Sequence, residues 1–188
     1  MIASIEEMRG LTREKYGDAD GAIEHYKASV AVEPDRELPL KRLAELYGMR
    51  KDYVNGAIWM ERYIATKPLA LGHQYGTLGD YYFAAENVPG ALHALEKGLE
   101  IDAYTFWARY RLAQLYEERK ENKEATRQYE TALKYGFDRE PELYSRLAKL
   151  YQAEGRTSDA IRLLKTGMRI FPTNSSLYRL YGEIGRGE

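Results

Sequence analysis

The stretch RLAELY at residues 42–47 returns as RLAQLY at residues 111–116 and as RLAKLY at residues 146–151. A further copy, TLGDYY at residues 77–82, keeps the leucine and the final tyrosine. These two residue types recur every 34 or 35 positions, at Leu43, Leu78, Leu112 and Leu147 and at Tyr47, Tyr82, Tyr116 and Tyr151. A fixed period of this length predicts an array of similar units, because each copy must bury the same surface.

Each period contains two segments of helical length. Apolar residues in these segments fall at positions i, i+3, i+4 and i+7, which is the spacing of an amphipathic helix. A small residue follows each repeated leucine, and a second small series occupies Ala22, Gly56, Ala91, Ala125 and Ala160. Small side chains allow helices to cross closely. Polar stretches such as YGDADG at 16–21 separate the two segments, so each period is predicted to be a helical hairpin.

The repeated pattern resembles the tetratricopeptide repeat family, which runs aromatic-x2-Leu-Gly/Ala-x2-Tyr, then Ala-x3-aromatic, then Pro. The third unit reads YGTLGDYY and then ALHAL, and the fifth reads YSRLAKLY, then AIRLL, then Pro172. The resemblance implies an all-α fold, a right-handed α-solenoid of about five hairpins with a C-terminal capping helix, in a single domain over residues 1–188. The expected repeats are 3–36, 37–70, 72–105, 106–139 and 141–174, followed by a terminal helix at 175–188.

Both ends of the array depart from the pattern. Arg9 and Arg13 occupy the leucine and tyrosine positions of the first unit, so its first helix is either degenerate or shifted by one residue. A polar outer face there suits a capping helix. At the other end, YRLYG at 178–182 matches the opening of a sixth unit. This segment is either a cap or part of a longer array, and its apolar row also allows self-association through residues 175–188.

Composition excludes several functions. The net charge is −1 without long single-sign runs, which argues against a general nucleic-acid binder. The absence of cysteine excludes disulfides, thiolate metal sites and a cysteine nucleophile. No apolar run approaches the ~20 residues of a membrane span and no secretory signal is present, so a cytoplasmic protein is expected, unless the chain is a fragment of a longer exported one. The three histidines are isolated in sequence, and we expect no catalytic residues, metal or cofactor.

The family resemblance implies a concave groove, lined by the first helix of each pair, that binds a peptide or a partner protein. Helical spacing selects the lining residues that lie off the Leu–Tyr stripe. The candidate contacts are Lys41, Arg42, His73, Asp80, Phe83, Trp107, Tyr110, Arg111, Gln114, Arg146 and Lys149. Aromatic residues are typical interface anchors. We expect specificity to come from Phe83, Trp107 and Tyr110 with the flanking arginines, while Trp107 equally suits packing against the preceding unit.

The repeated arginines Arg42, Arg111 and Arg146 allow two interpretations. A row of guanidinium groups at the groove edge can hold carboxylates or phosphates, which predicts an acidic ligand. Each arginine also has a local partner in sequence: Glu45 follows Arg42 by three residues, Glu142 precedes Arg146 by four, and an aromatic residue precedes Arg111 by four. Local pairing favours a structural role for such charges.

The sequence therefore predicts a non-catalytic scaffold or adaptor that binds a peptide or protein segment. One alternative is the interaction domain of a larger enzyme or multidomain protein, and another is a self-associating module. The pattern by which some family members hold a terminal carboxylate does not fit, because Glu45 and Asp80 would repel that group. No nucleic-acid or membrane partner is expected.

Overall fold

In the computed structural model of the chain, the described residues are 1–67, 69–103 and 105–186, and Pro68, Tyr104, Gly187 and Glu188 lie outside them. The described residues form eleven α-helices and no β-strand. The predicted all-α solenoid class of fold is confirmed. The chain divides into two compact units, Met1–Asp102 and Ala103–Glu188. A single domain over residues 1–188 stays a prediction.

The first unit consists of three helical hairpins. The pairs are α1 (Ile2–Lys15) with α2 (Ala19–Val32), α3 (Glu37–Met49) with α4 (Tyr53–Ala65), and α5 (Gly72–Ala84) with α6 (Val88–Ile101). The second helix of one hairpin also packs against the first helix of the next, as α2 does on α3 and α4 on α5. We call this contact between consecutive hairpins a seam.

The second unit consists of two hairpins and a single helix. The pairs are α7 (Phe106–Glu118) with α8 (Asn122–Lys134) and α9 (Pro141–Ala153) with α10 (Thr157–Ile170), and α11 (Ser175–Gly185) follows. Helix α11 packs against α9 and α10 and buries Leu177, Leu180 and Ile184. Its apolar row therefore faces the core of its own unit as a cap does, while Tyr178 stays 48% exposed.

The turn inside each hairpin contains one residue in the left-handed region. These residues are Gly17 (φ 75°), Lys51 (61°), Glu86 (57°), Lys120 (61°) and Gly155 (74°). Such a residue ends a helix by turning its last carbonyls toward local N–H groups. Asp18, Asp52 and Asn87 come next and cap the second helices, accepting the backbone N–H three residues later at 2.9, 3.2 and 3.1 Å. The polar stretches of the sequence are thus paired stop and start signals.

The leucine and small-residue series form the core, as their spacing predicts. The four repeated leucines are 0–5% exposed. A Cβ on Gly79 would lie 2.6 Å from Leu95 Cγ, so only glycine allows these helices to approach so closely. Gly10 occupies the same position in the first repeat, 2.5 Å from Tyr26 for an added Cβ. Helix α1 therefore keeps the register of the array, with Arg9 and Arg13 exposed at its leucine and tyrosine positions.

Candidate functional site

The predicted contact residues all lie on first helices of hairpins, and in each unit they form what we call the first-helix surface of that unit. In the first unit they are Lys41 and Arg42 on α3 and His73, Asp80 and Phe83 on α5; in the second they are Trp107, Tyr110, Arg111 and Gln114 on α7 and Arg146 and Lys149 on α9. Lys41, His73 and Lys149 are exposed, while Trp107 and Phe83 are half-buried. Each unit thus presents an exposed lysine and a partly covered aromatic side chain on its first helices.

Two of the predicted contacts are buried in the core of the second unit. Tyr110 is 8% exposed, and its ring packs against Tyr129 and Phe137 with centroid separations of 5.6 and 4.9 Å. Gln114 is also 8% exposed, and its side-chain oxygen accepts a hydrogen bond from Arg111 at 2.9 Å. Aromatic partners from α8 and the segment after it cover the Tyr110 ring. Neither side chain presents much surface to a ligand.

Arg42 joins two hairpins of the first unit. Its Nη1 donates to Glu45 at 2.8 Å, which confirms the local pair that the sequence predicts. Its Nε donates to Glu14 at 3.0 Å, and Glu14 lies in α1 of the preceding hairpin. The same Glu14 oxygen accepts the hydroxyl of the fully buried Tyr26. A tyrosine, a glutamate and an arginine therefore form one network across the seam.

The second unit contains the same network. Arg146 donates to Glu142 at 2.7 Å, the predicted local pair, and to Glu117 of the preceding hairpin at 3.0 Å. Glu117 also accepts the hydroxyl of Tyr129, which is fully buried, at 2.5 Å. Two of the three repeated arginines are therefore part of the seams that hold the hairpins together.

The electrostatics of both networks keep the tyrosines neutral and the arginines charged. Burial, followed by the hydrogen bond to a glutamate, raises the pKa of Tyr26 and of Tyr129 well above the usual tyrosine value. The hydrogen bond to Glu45 is the largest of the effects that raise the pKa of Arg42. Burial lowers the pKa of Arg146, but its bonds to Glu142 and Glu117 outweigh that effect and the pKa ends above the ordinary value.

Sequence reasoning missed the glutamate and the tyrosine of these networks, although a signal exists. In both, the glutamate precedes the tyrosine by 12 residues and the arginine by 28 or 29. The equivalent register positions before Arg111 hold Phe83 and Leu95, so the glutamate–tyrosine pair does not recur there. The glutamate and the tyrosine lie one repeat before the arginine, whereas helical spacing indicates only partners within the arginine's own helix.

The repeated tyrosines use their hydroxyl groups at other places in the seams. Tyr82 donates to Glu61 of the preceding second helix, and Tyr151 donates to Glu130 at 2.8 Å in the equivalent place. Burial, then the Glu61 bond, raises the pKa of Tyr82 to about 12. In the seam between the first two hairpins a lysine ammonium lies 5.4 Å from the centroid of the Tyr47 ring instead. The polar end of tyrosine explains why phenylalanine does not fill this series.

The described part of the chain offers little for catalysis or metal binding. Within it, no three His, Asp or Glu side chains come together in a way that suits a metal ion. Every buried side-chain nitrogen or oxygen there has a hydrogen-bond partner. Over the same residues, no helix has both the length and the apolar character that spanning a bilayer requires. What the fold displays is a set of helix surfaces.

Comparison with known proteins supports what these hairpins indicate. The family model described as tetratricopeptide repeat matches residues 82–150, from the last turns of α5 into α9. This part of the chain is therefore similar to the tetratricopeptide repeat family. The residues that the model matches include the copy of the repeated phrase at 111–116 and all but the last residue of the copy at 146–151. No curated protein sequence matches the chain.

Solved tetratricopeptide repeat structures share the fold at low sequence identity. MamA is 19% identical, with a TM-score of 0.79 over 93% of this chain and 94% of its own. YrrB, described as a TPR protein with an unusual peptide-binding site, is 14% identical, with a TM-score of 0.75 over 90% of this chain and 87% of its own. A MamA segment from Desulfovibrio magneticus RS-1 is 14% identical, with a TM-score of 0.75 over 92% and 96%. At such identities the likeness concerns the fold.

Proposed function

We propose that this chain is a non-catalytic interaction module that binds a peptide or protein segment on the first-helix surface of its second unit. The fold supports this proposal, since stacked hairpins display long helix faces to a partner. YrrB, which is similar in fold, is described as having a peptide-binding site. The observation that carries the proposal is Trp107, a large aromatic side chain that stays half-buried on a first helix after the core is complete.

The contacts that suit a ligand are a subset of those predicted from sequence. In the second unit Lys149 is exposed and Trp107 is partly so. An aromatic anchor together with a cation is typical of surfaces that hold peptides. Arg42 and Arg146 contribute less in this proposal, because both already bind glutamates across seams.

The test begins with peptides of random sequence selected for binding to the wild-type chain. Trp107→Ala should then raise the Kd of the selected peptides by about tenfold, which is a common effect of removing an aromatic anchor. Trp59→Ala is the matched control. Trp59 is the other tryptophan, half-buried on a second helix under the Arg62 guanidinium, 4.7 Å from the ring centroid. Fluorescence anisotropy measures the Kd, and circular dichroism shows that each variant is folded.

A second variant addresses the cations of the same surface. Lys149→Glu should weaken the selected peptides, while Lys97→Glu, an exposed position on second helix α6, should leave their Kd unchanged. Binding that survives both Trp107→Ala and Lys149→Glu would show that the ligand lies elsewhere. Equal losses in the Trp59 and Trp107 variants would point to a general effect on the fold.

A further inference from the structure

The outer side of α1 is an uncovered copy of a surface that the rest of the array buries. Position by position, Ile5 and Met8 of α1 are equivalent to Leu177 and Leu180 of α11. In α11 these two leucines are 0% and 7% exposed, because α9 and α10 cover them. In α1 the equivalent side chains are 46% and 61% exposed. Helix α1 therefore exposes apolar side chains at positions that neighbouring helices cover in α11.

This surface forms a shallow concavity of about 900 Å³ on the first hairpin. We call it the end face, and its lining residues are Met1, Ser4, Ile5, Met8, Arg9, Thr12, Arg13 and His25. Three apolar side chains, two arginines and a histidine belong to this lining. No aspartate or glutamate belongs to it, and all of it lies among the described residues, although Glu6 beside it pairs with His25 at 2.7 Å. The end face thus combines apolar and basic side chains.

The two arginines keep hydrogen-bonding capacity for a ligand. One N–H group of Arg9 donates a hydrogen bond to Glu6 at 2.7 Å, and one N–H group of Arg13 donates to Asp18 at 3.0 Å. Their side chains nevertheless remain 60% and 55% exposed. A guanidinium group has five N–H donors, so a single contact leaves most of them available. A partner with carboxylates at matching positions would find both charge and donors there.

The register of the repeats shows where such a carboxylate would lie. Arg13 occupies the position that Tyr82 and Tyr151 occupy in later repeats. Those tyrosines donate to Glu61 and Glu130, which belong to the second helix of the preceding hairpin. A helix that packed on α1 as second helices pack in later seams would carry a residue equivalent to Glu61 and Glu130. That residue would lie opposite Arg13. A glutamate there would pair with the arginine.

We propose that the end face binds a single amphipathic helix of a partner protein, whose apolar stripe is bordered by glutamate or aspartate. Helix α11 shows that one helix can close the end of such an array by burying three apolar residues. The charge of the end face disfavours a second copy of this chain, because a twofold contact would bring Arg9 and Arg13 of both copies into the same interface. This surface is separate from the first-helix surface, so the proposal goes beyond the proposed function.

Two synthetic helices of about 18 residues, or five turns, serve as probes. Both carry leucines at i, i+3, i+4 and i+7; one has glutamates along the borders of that stripe and the other has lysines. We expect the acidic helix to bind at least about tenfold more tightly than the basic one, and its Kd to rise with salt between about 50 and 300 mM. Fluorescence anisotropy of labelled peptides measures both effects.

Three double variants locate the binding. Replacing Ile5 and Met8 by Ser should abolish binding, and Arg9→Glu with Arg13→Glu should reverse the preference between the two probes. The matched control replaces Val54 and Ile58 by Ser. These residues form an exposed apolar pair one turn apart on α4, at 60% and 47%, and the control should leave the Kd unchanged. Circular dichroism and thermal melting confirm that each variant is folded.

Three outcomes would overturn the proposal. The first is acidic-helix binding that the Ile5 and Met8 variant does not weaken. The second is equal affinity for the acidic and the basic helix. The third comes from sedimentation of the wild-type chain alone: a dimer that the Ile5 and Met8 variant dissociates would show that a second copy occupies the end face. The Trp107→Ala variant should bind the acidic helix normally, which separates this test from that of the proposed function.

Discussion

Replacing Glu117 with Met tests whether the glutamate–tyrosine–arginine network holds the second unit together. The substitution keeps the length of the side chain and removes the acceptor of both Tyr129 and Arg146. Tyr129 is fully buried, so its unpaired hydroxyl costs about 1–3 kcal/mol. Arg146 keeps Glu142, and the lost ion pair adds about 0.2–1 kcal/mol. We expect the free energy of unfolding to fall by about 1–4 kcal/mol in total.

A double-mutant cycle with Tyr129→Phe isolates the network, because that change removes the donor left unpaired by Glu117→Met. We expect a coupling energy of about 1.5 kcal/mol. Urea unfolding followed by Trp107 fluorescence, in a Trp59→Phe background, reports on the second unit. Losses that add to within about 0.5 kcal/mol would refute the reasoning. Glu118→Met changes an exposed neighbouring residue and should alter stability by less than about 0.5 kcal/mol.

Two further predictions concern the tyrosines and the glycines of the core. Stability should fall above pH of about 10, because the unfolded chain releases protons there that Tyr82, with its pKa raised to about 12, and Tyr129 retain when folded. Thermal melts between about pH 8 and 11 measure this fall, and a variant with both tyrosines changed to Phe should lose less stability as the pH rises. An equal loss would contradict the assignment of the effect to these two tyrosines. Gly79→Ala should destabilise by about 1–3 kcal/mol, since the new Cβ lies 2.6 Å from Leu95 Cγ. Gly182→Ala, whose nearest neighbouring atom would be 3.9 Å away, should stabilise by about 0.5–1 kcal/mol. Urea titrations followed by circular dichroism measure both variants, and a gain at Gly79 would show that the crossing is not tight.

The hairpins and their core were predictable because their signals are local and repeated. A leucine, a small residue and a tyrosine recur with each period, and the polar turns contain their own caps. Pairing of Arg42 with Glu45 and of Arg146 with Glu142 was predictable for the same reason, since both partners lie on one helix. Helical spacing alone decides such contacts.

The remaining features depend on contacts between elements, which periodicity within one helix does not determine. Tyr110 was predicted to face a ligand, but aromatic residues of α8 and the segment after it bury its ring. The roles of Glu14 and Glu117 were not predictable from helical spacing, because each acts on an arginine one repeat later. In both cases the decisive partner belongs to another helix. A comparison of register positions across neighbouring repeats recovers the glutamates, though not the aromatic packing.

The hydroxyl groups of the repeated tyrosines give the array an order that its apolar core does not impose. Leucines and small residues are nearly interchangeable between repeats, so any hairpin would pack on any other by those contacts alone. The polar contacts are not the same in every seam: a lysine lies over the ring of Tyr47, whereas a glutamate accepts from Tyr82 and from Tyr151. A duplicated or shuffled hairpin would keep its core and meet the wrong partner at its edge. Neighbouring repeats in this chain therefore match one another in their polar contacts. Engineering that treats the repeats as identical modules would lose those contacts.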